Sequence, residues 1–287
     1  MDLIDAIVLG LVQGATEFLP ISSSGHLVLG QYLLGLDQPE LLFDIVLHVG
    51  TLLAVVGFYR RDLGILIDGI WRGIGELVGS RSVRKALEPD GARLAVLIAV
   101  ACIPTGILGV LVDEFLPIER GTVTAVVFVC GALLVNGLVL FAGRLVRDRD
   151  PEERSGPLTL WNVSLAVALA VGTAQGLAVI PGISRSGMTI ISALFLGIWR
   201  DQAARFSFLM SIPAILGALV LKFDPTVFSG PAVGPHLLTY GLGALAAGLS
   251  GFAAIYWLVR LIERAQFHHF SWYCWLVGGA GLAFLLL

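Results

Sequence analysis

A stretch of thirteen residues occurs twice in this chain, 162 positions apart, and both copies interrupt an apolar segment. Residues 13–25 (QGATEFLPISSSG) return as residues 175–187 (QGLAVIPGISRSG), with six identical positions and no gap. Each copy joins two apolar segments through a break that contains proline, which cannot continue a helix. Such a repeat predicts two related halves, each with one interrupted helical hairpin.

The composition predicts an integral membrane protein. Of the 287 residues, 57% are apolar and 14% are charged, whereas soluble proteins have about 25% charged residues. The N-terminus lacks the basic region and cleavage site of a signal peptide, so we expect the first apolar segment to be retained. The three cysteines lie in apolar segments without C-x-x-C spacing, which favours free thiols over disulfides or zinc. No basic patch with interleaved aromatic residues suggests nucleic acid.

Six segments are long enough to cross a bilayer, since a spanning helix needs about 20 apolar residues. They are residues 41–59, 92–112, 121–143, 204–222, 237–259 and 270–287. Four shorter segments flank the two breaks and are predicted to form two re-entrant hairpins. They are residues 3–17, 24–36, 160–178 and 187–199. The predicted fold class is an all-α polytopic membrane protein with six transmembrane helices and two re-entrant helical hairpins.

The positive charges predict the orientation of these segments. Most Lys and Arg residues lie in four loops, which the positive-inside rule places on the cytoplasmic side: 60–93, 144–157, 199–205 and 260–268. The first 40 residues contain neither Lys nor Arg, so the first hairpin enters from the outer side and the second from the cytoplasm. The prediction is an inverted-topology repeat of residues 1–147 and 158–287, with 148–157 as a charged connector, in one membrane domain.

The first break is rich in polar side chains. Gln13 and Glu17 lie four residues apart, so both project from one face of the first short helix. A carboxylate inside a membrane is costly, which favours binding of a ligand or ion over a polar pair at a wet helix end. Ser22, Ser23 and Ser24 precede the next helix. An N-cap explains one serine but not all three.

His26 lies three residues after Ser23, on the same face if that turn is helical. A serine hydroxyl becomes an effective nucleophile when a base takes its proton, and an imidazole oriented by Glu17 would serve. A lone histidine in an apolar segment is more often a packed side chain. The nearby Glu17 and Ser23 favour the functional interpretation.

The second break supplies a positive charge. Arg185 stands between Ser184 and Ser186, and its planar guanidinium suits bidentate contact with phosphate oxygens. The alternative is an arginine that snorkels or pairs with Glu17. Both breaks also expose backbone N–H groups at a helix start, where the helix dipole favours anions. Two such helix starts facing each other predict a diphosphate site rather than a cation site.

Three further polar residues are weaker candidates. Asp44 and His48 lie four residues apart and can face the same cavity, although a helix end near the outer surface also explains Asp44. Asn136 is expected to form an interhelical hydrogen bond rather than to bind a ligand.

The two breaks carry recognisable motifs. Residues 13–26 (QGATEFLPISSSGH) and 181–187 (PGISRSG) resemble the two signature sequences of the undecaprenyl-diphosphate phosphatase family linked to bacitracin resistance. The resemblance extends along the whole chain and includes residues 205–213 (RFSFLMSIP). It implies hydrolysis of a C55-type polyprenyl diphosphate to the monophosphate on the outer side of the inner or plasma membrane, which recycles the lipid carrier for cell-envelope synthesis. It also implies a divalent cation, Mg²⁺ or Ca²⁺.

The resemblance assigns roles by position. It implies that the catalytic residues are Glu17, Ser23, His26 and Arg185. The other polar residues of the two breaks, with Gly187, are the predicted substrate-binding residues: Gln13, Ser22, Ser24, Ser184, Ser186 and Gly187. Glu17 and Gln13 would hold the cation, but the family's E-x-x-x-E pattern has an acid where this chain has Gln13. An amide cannot act as a base, so Glu17 is the only carboxylate in the two motifs.

The resulting hypothesis is a phosphatase in which Arg185, the two helix starts and the cation hold the diphosphate. Ser23 is the expected nucleophile, with His26 as base toward Ser23 or toward water. The rival hypothesis is a transporter or flippase for a lipid-linked phosphate, because inverted repeats with broken helices are common in transporters. A purely structural membrane protein ranks third. The expected partners are a polyprenyl diphosphate and membrane lipid, without nucleic acid, and a homodimer stays open.

Overall fold

The computed structural model of the protein describes residues 1–36, 41–116, 122–146, 163–221 and 233–286. The described chain consists of α-helices without a β-strand, which confirms the predicted all-α class. The helices are α1 (Leu3–Phe18), α2 (Ser23–Leu33), α3 (Leu41–Phe58), α4 (Arg60–Ser80), α5 (Val83–Ala86), α6 (Asp90–Phe115), α7 (Val123–Ala142), α8 (Leu165–Leu177), α9 (Arg185–Phe195), α10 (Arg200–Leu221), α11 (Val233–Glu263) and α12 (Phe270–Leu286). The predicted connector 148–157 lies outside the described residues.

Each duplicated stretch forms two short helices around a break. α1 begins at Asp2, whose carboxylate and backbone exchange hydrogen bonds with Asp5 in a capping box. It ends before Pro20, since the proline ring cannot continue the helix. α2 restarts after the N-cap Ser22, and α9 restarts after the N-cap Ser184. Each of the four predicted short segments thus contains a helix; residues 160–162 of the third segment lie outside the described residues, and the fourth helix ends at Phe195 rather than at 199.

The Arg-rich segment 60–93, predicted only as a cytoplasmic connection between spans, is largely helical. α4 is bent by 80° from α3 at the break between them. Gly69 and Gly73 lie on its buried face, where an added Cβ would come within 2.4 Å of α6 and 2.6 Å of α5. Trp71 and Val78 are exposed. A narrow buried face on a charged helix is typical of an amphipathic helix. The many charged residues of α4 obscured the helical spacing of its buried residues in the sequence.

Four of the six predicted spans are helices long and apolar enough to cross a membrane, namely α6, α7, α10 and α11. α3 passes the same test only together with α4, as a bent pair, which raises the number to five. α12 has 17 residues, fewer than the 20 or so that a crossing needs. By length and composition the described chain is therefore polytopic, with four or five candidate spans.

The first helix of each hairpin packs against a long helix from the other half of the chain. α1 packs against α11, and α8 packs against α6. Small residues let membrane helices approach closely. A Cβ on Gly14 would lie 2.1 Å from the carbonyl oxygen of Ala247, and a Cβ on Gly172 would lie 2.1 Å from that of Ala101. Each hairpin thus packs into the opposite half of the chain, an arrangement called here the exchange of hairpins. The two breaks are in direct contact.

The largest buried apolar cluster lies next to the first break. Phe18 at the end of α1 packs edge-on against Phe208 of α10, with ring centroids 5.7 Å apart, and Tyr59 packs on the same ring. Interiors packed in this way resist small displacements. Because Phe18 directly follows Glu17, the cluster fixes the end of the helix that carries this carboxylate.

Candidate active site

The two breaks lie against each other and are joined by side chains from both. The Ser22 hydroxyl accepts a hydrogen bond from the Gly182 amide at 3.1 Å. The Ser186 hydroxyl donates to the Leu19 carbonyl at 3.2 Å. The duplicated stretches therefore form one continuous structure, as the expected meeting of two helix starts requires.

Asn136 of α7 ties the breaks together from a third direction. Its Nδ2 donates to the Pro20 carbonyl and its Oδ1 accepts from the Ser184 amide, both at 2.9 Å. Nδ2 also lies 3.3 Å from Sγ of Cys274 in α12, so the predicted interhelical contact is confirmed. Buried backbone groups without a helical partner need another partner, and Asn136 provides it for both breaks.

The serines build the two helix starts in the same way. Ser22 accepts a hydrogen bond at 3.3 Å from the amide three residues later, and Ser184 accepts one at 3.1 Å from Gly187. Ser24 and Ser186 each lie two residues after these N-caps, with hydroxyl oxygens 3.4 Å and 3.1 Å away from them. Side-chain capping of this kind satisfies helix N–H groups that have no partner inside the helix.

Glu17 is the buried centre of the site, with 2% of its side chain exposed. Its Oε2 accepts hydrogen bonds from the Ser23 hydroxyl at 2.5 Å and from the Gln13 amide at 2.9 Å. Its Oε1 accepts from the guanidinium of Arg185. Burying an unpaired carboxylate is costly, and the Arg185 charge compensates for it. The pairing with Glu17 that the sequence left open for Arg185 is thus observed.

Three of the residues predicted to be catalytic, Glu17, Ser23 and Arg185, line one cavity of about 220 Å³. Asp44 and His48 of α3 line it as well. The structure therefore brings together the acid, a hydroxyl and a guanidinium from three different helices. It also places in this cavity Asp44 and His48 of α3, which were weaker candidates in the sequence.

His26 lies in a different environment from the other predicted catalytic residues. It stacks on Tyr273 of α12, with ring centroids 5.6 Å apart. Both rings line a second cavity of about 700 Å³, whose other lining residues are mostly apolar and include Trp257. His26 touches the site through the backbone of Ser22, whose carbonyl lies 2.8 Å from Nδ1. The structure does not place its ring in the cavity beside Glu17.

His48 is the imidazole that lies beside the carboxylate. Its Nε2 is 3.9 Å from Oε2 of Glu17. Asp44 accepts a hydrogen bond from Gln31 of α2 at 3.1 Å. The spacing of four residues between Asp44 and His48 was the available sequence signal, but it could not say which helix they would face.

Comparison with known proteins agrees with the two motifs. Residues 6–280 match the family model described as "Bacitracin resistance protein BacA". The chain belongs to this family. It is 44% identical over 283 residues to the undecaprenyl-diphosphatase of Desulfosudis oleivorans, with 98% of both chains covered. It is 38% identical to the undecaprenyl-diphosphatase of Methanobrevibacter smithii, covering 97% of this chain and 96% of the relative.

The described residues do not form a ready-made binding site for the cation that the resemblance to BacA-type proteins implies. In the described part of the chain, no group of three or more His, Cys, Asp or Glu side chains could hold a metal ion. Both oxygens of Glu17 accept hydrogen bonds, and the buried Oε1 of Gln13 is the adjacent oxygen that lacks a partner among the described residues. Mg²⁺ and Ca²⁺ take about six or more oxygen ligands. These two residues alone do not fit a resident cation.

Proposed function

We propose that this chain is an undecaprenyl-diphosphatase, which hydrolyses undecaprenyl diphosphate to undecaprenyl monophosphate and inorganic phosphate. The proposal rests on the meeting of Glu17, Ser23 and Arg185 in one cavity at the junction of two helix starts. The names of the BacA-family relatives point to the same reaction. The monophosphate produced returns the lipid carrier to cell-envelope polysaccharide synthesis.

The diphosphate head group binds between the N-termini of α2 and α9. Both helices begin at the junction, and aligned peptide dipoles favour an anion at a helix N-terminus. Arg185 is the first residue of α9, and 25% of its side chain is exposed. Its guanidinium can therefore turn N–H groups other than the one that donates to Glu17 toward phosphate oxygens, while the ion pair is kept.

The other proposed binding residues fall into two groups. Ser22, Ser24 and Ser184 line the cavity, so their hydroxyls can reach the head group. The remaining residues support them from behind: Gln13 holds Glu17, Ser186 bonds to the first break, and Gly187 donates its amide to the second N-cap.

Ser23 is the nucleophile in this proposal. Its hydroxyl donates to Glu17, so its proton faces a proton acceptor and an oxygen lone pair is left for attack. Attack on the terminal phosphorus breaks the bond to the bridging oxygen, and undecaprenyl monophosphate leaves. Water then attacks the phosphoserine, releasing phosphate and restoring the hydroxyl. Arg185 stabilises the charge on the transferring phosphoryl group.

His26 contributes by positioning. Its Nδ1 holds the carbonyl of Ser22, the residue that precedes the nucleophile. The strained conformation of Ser22, with φ of 69°, makes such support necessary. His26→Ala is therefore expected to lower turnover through Ser23.

We also propose the finer topology: six spans and two re-entrant hairpins in an inverted repeat, with the cavity open to the outer side. The mutual exchange of α1 and α8 between the halves supports a pseudo-two-fold relation. The absence of Lys and Arg from the first 40 residues supports entry of the first hairpin from outside. Labelling of cysteines introduced in residues 113–120 and 60–93 tests this orientation, and labelling of both from the same side would overturn it.

The divalent cation is proposed to arrive with the substrate, because the diphosphate oxygens supply ligands that the protein lacks. Mg²⁺ or Ca²⁺ would neutralise charge on the diphosphate, with Glu17 and Gln13 as the nearest protein ligands. A chelator is expected to reduce turnover without lowering the thermal stability of the protein. A loss of stability on chelation would instead indicate a resident structural ion.

The deciding experiment is phosphate release from undecaprenyl diphosphate by detergent-purified protein, with and without chelator. The native chain is expected to release phosphate, and Arg185→Ala and His26→Ala are expected to lose most of that activity. Trapping of a phosphoserine at Ser23 would support the two-step reaction, whereas full turnover by Ser23→Ala would favour direct attack by water. No release by the native chain across several cations would reject the proposal and favour lipid-phosphate transport.

A further inference from the structure

The ring of His26 has no free nitrogen. Its Nδ1 lies 2.8 Å from the carbonyl oxygen of Ser22, and a carbonyl can only accept, so Nδ1 carries the hydrogen. Nε2 of the neutral ring then accepts from the hydroxyl of Tyr273, 2.9 Å away. A general base needs a lone pair that faces the proton it removes. In His26 that lone pair is engaged on the side of the second cavity.

His48 has the opposite arrangement. Its Nδ1 lies 2.7 Å from the backbone carbonyl oxygen of Asp44 and must donate to it. The hydrogen is therefore on Nδ1, and Nε2 of the neutral ring carries a lone pair. Among the described residues Nε2 has no hydrogen-bond partner, and 31% of the side chain is exposed. The fixed tautomer directs this lone pair toward the cavity that contains Glu17.

His48 and Ser23 converge on the same oxygen atom. The Ser23 hydroxyl donates to Oε2 of Glu17 at 2.5 Å, and Nε2 of His48 lies 3.9 Å from that atom. A proton left on Glu17 would cancel the charge that holds Arg185. A proton passed on to His48 leaves this ion pair intact. Gln13 cannot take the proton because an amide does not titrate.

We propose that His48 carries the proton of the reaction, receiving it from the nucleophile by way of Glu17. This inference rests on the proposed phosphatase function. As Oγ of Ser23 bonds to the terminal phosphorus and the bond to the bridging oxygen breaks, the serine proton passes through Oε2 to Nε2. The imidazolium then protonates the departing bridging oxygen. When water cleaves the phosphoserine, the water proton goes to Nε2 and returns to Ser23, so His48 ends the cycle neutral.

His48 shares its cavity with charged side chains from three helices. They are Glu17 from α1, Asp44 from α3 and Arg185 from α9. α10, which also packs on α3, contributes apolar side chains to the described lining of the cavity. Of the three charged residues, Glu17 is the one that accepts the hydrogen bond of Ser23, so it links the nucleophile to His48.

The test is kcat and KM for phosphate release, measured with undecaprenyl diphosphate for the native chain and His48→Gln. Glutamine keeps hydrogen-bonding groups of similar size but cannot carry a proton. His48→Gln should lower kcat by roughly 10²–10⁴-fold and leave KM within a few-fold, because the loss falls on the chemical step rather than on binding. A variant that keeps the native kcat would overturn the proposal.

A labelling experiment tests the free nitrogen without turnover. Diethyl pyrocarbonate acylates unprotonated imidazole nitrogens, and mass spectrometry reads each histidine separately. His48 should react at least several-fold faster than His26 in the native chain, and inorganic diphosphate should slow the reaction of His48. Faster modification of His26 would overturn the inference. Rapid labelling of His48 in a chain that releases no phosphate would reject the phosphatase function and the proton-carrying role together.

Discussion

The two breaks share the residues that start their helices and differ in the residues that carry chemistry. Their matching serines cap α2 and α9 with the same hydrogen-bond pattern. At the two positions that matter for charge the copies diverge: Glu17 corresponds to Val179, and Ser23 corresponds to Arg185. Glu17 nevertheless contacts both Ser23 and Arg185. The two copies thus share their helix starts, and the side chains at the positions where they differ are complementary to one another.

The breaks also differ in where the backbone is strained. In the first break the strain falls on Ser22, a non-glycine residue with φ of 69°. In the second break it falls on Gly182, with φ of 96°, while Ser184 is extended. Only glycine takes such conformations at little cost. The first break therefore depends more on outside support, which it receives from His26 and from the Gly182 amide.

Among changes at the two breaks, replacing Glu17 should have the largest effect, because it removes the charge that distinguishes the first break from the second. Glu17→Gln keeps the size of the side chain but leaves Arg185 without its anionic partner and Ser23 without a group that can take its proton. Phosphate release should fall by about 10³-fold. Val179→Thr changes the equivalent position of the second break and should stay within about twofold. Comparable losses in both variants would mean that the two positions are not chemically different.

Asn136 tests whether the two breaks act as one structure. Asn136→Leu leaves the Pro20 carbonyl and the Ser184 amide without a partner, at about 3 kcal/mol in total. The unfolding temperature in detergent should drop clearly, and phosphate release should drop with it. Ser250→Ala is the control, since among the described residues the partners of that hydroxyl are backbone carbonyls of its own helix, α11. A variant at Asn136 with native stability would show that the breaks hold their positions independently.

The smallest expected effect is the difference in stability between the variants that remove the two N-caps. Both variants lose a cap hydrogen bond and the contact with the serine two residues later. Ser184→Ala loses no more than these and should cost about 1 kcal/mol. Ser22→Ala also loses the acceptor for the Gly182 amide, so it should cost about 2 kcal/mol. Thermal unfolding of the two variants side by side measures the difference. Equal destabilisation would contradict the asymmetry between the breaks.

Local chemistry made part of this fold predictable. Proline and serine mark the ends and starts of the hairpin helices, so α1, α2, α8 and α9 were expected from the residues near each break. The amphipathic helix α4 was not predicted, because its Arg-rich segment was interpreted only as a cytoplasmic connection between spans. Its buried stripe is formed by small residues such as Gly69 and Gly73, which give a weak hydrophobic period.

The sequence by itself determined the membrane class and the repeated helical hairpins, because these depend on the length of apolar segments and on helix capping. It also singled out Glu17, Ser23 and Arg185 as candidate site residues, because charged and hydroxyl side chains stand out in an apolar chain. The tertiary structure decided how they are used. It placed Asn136 between the breaks, turned His26 toward Tyr273 and brought His48 beside Glu17. Those contacts join residues from helices that are distant in the chain. They arise only when each hairpin packs into the opposite half, and no local pattern encodes that exchange.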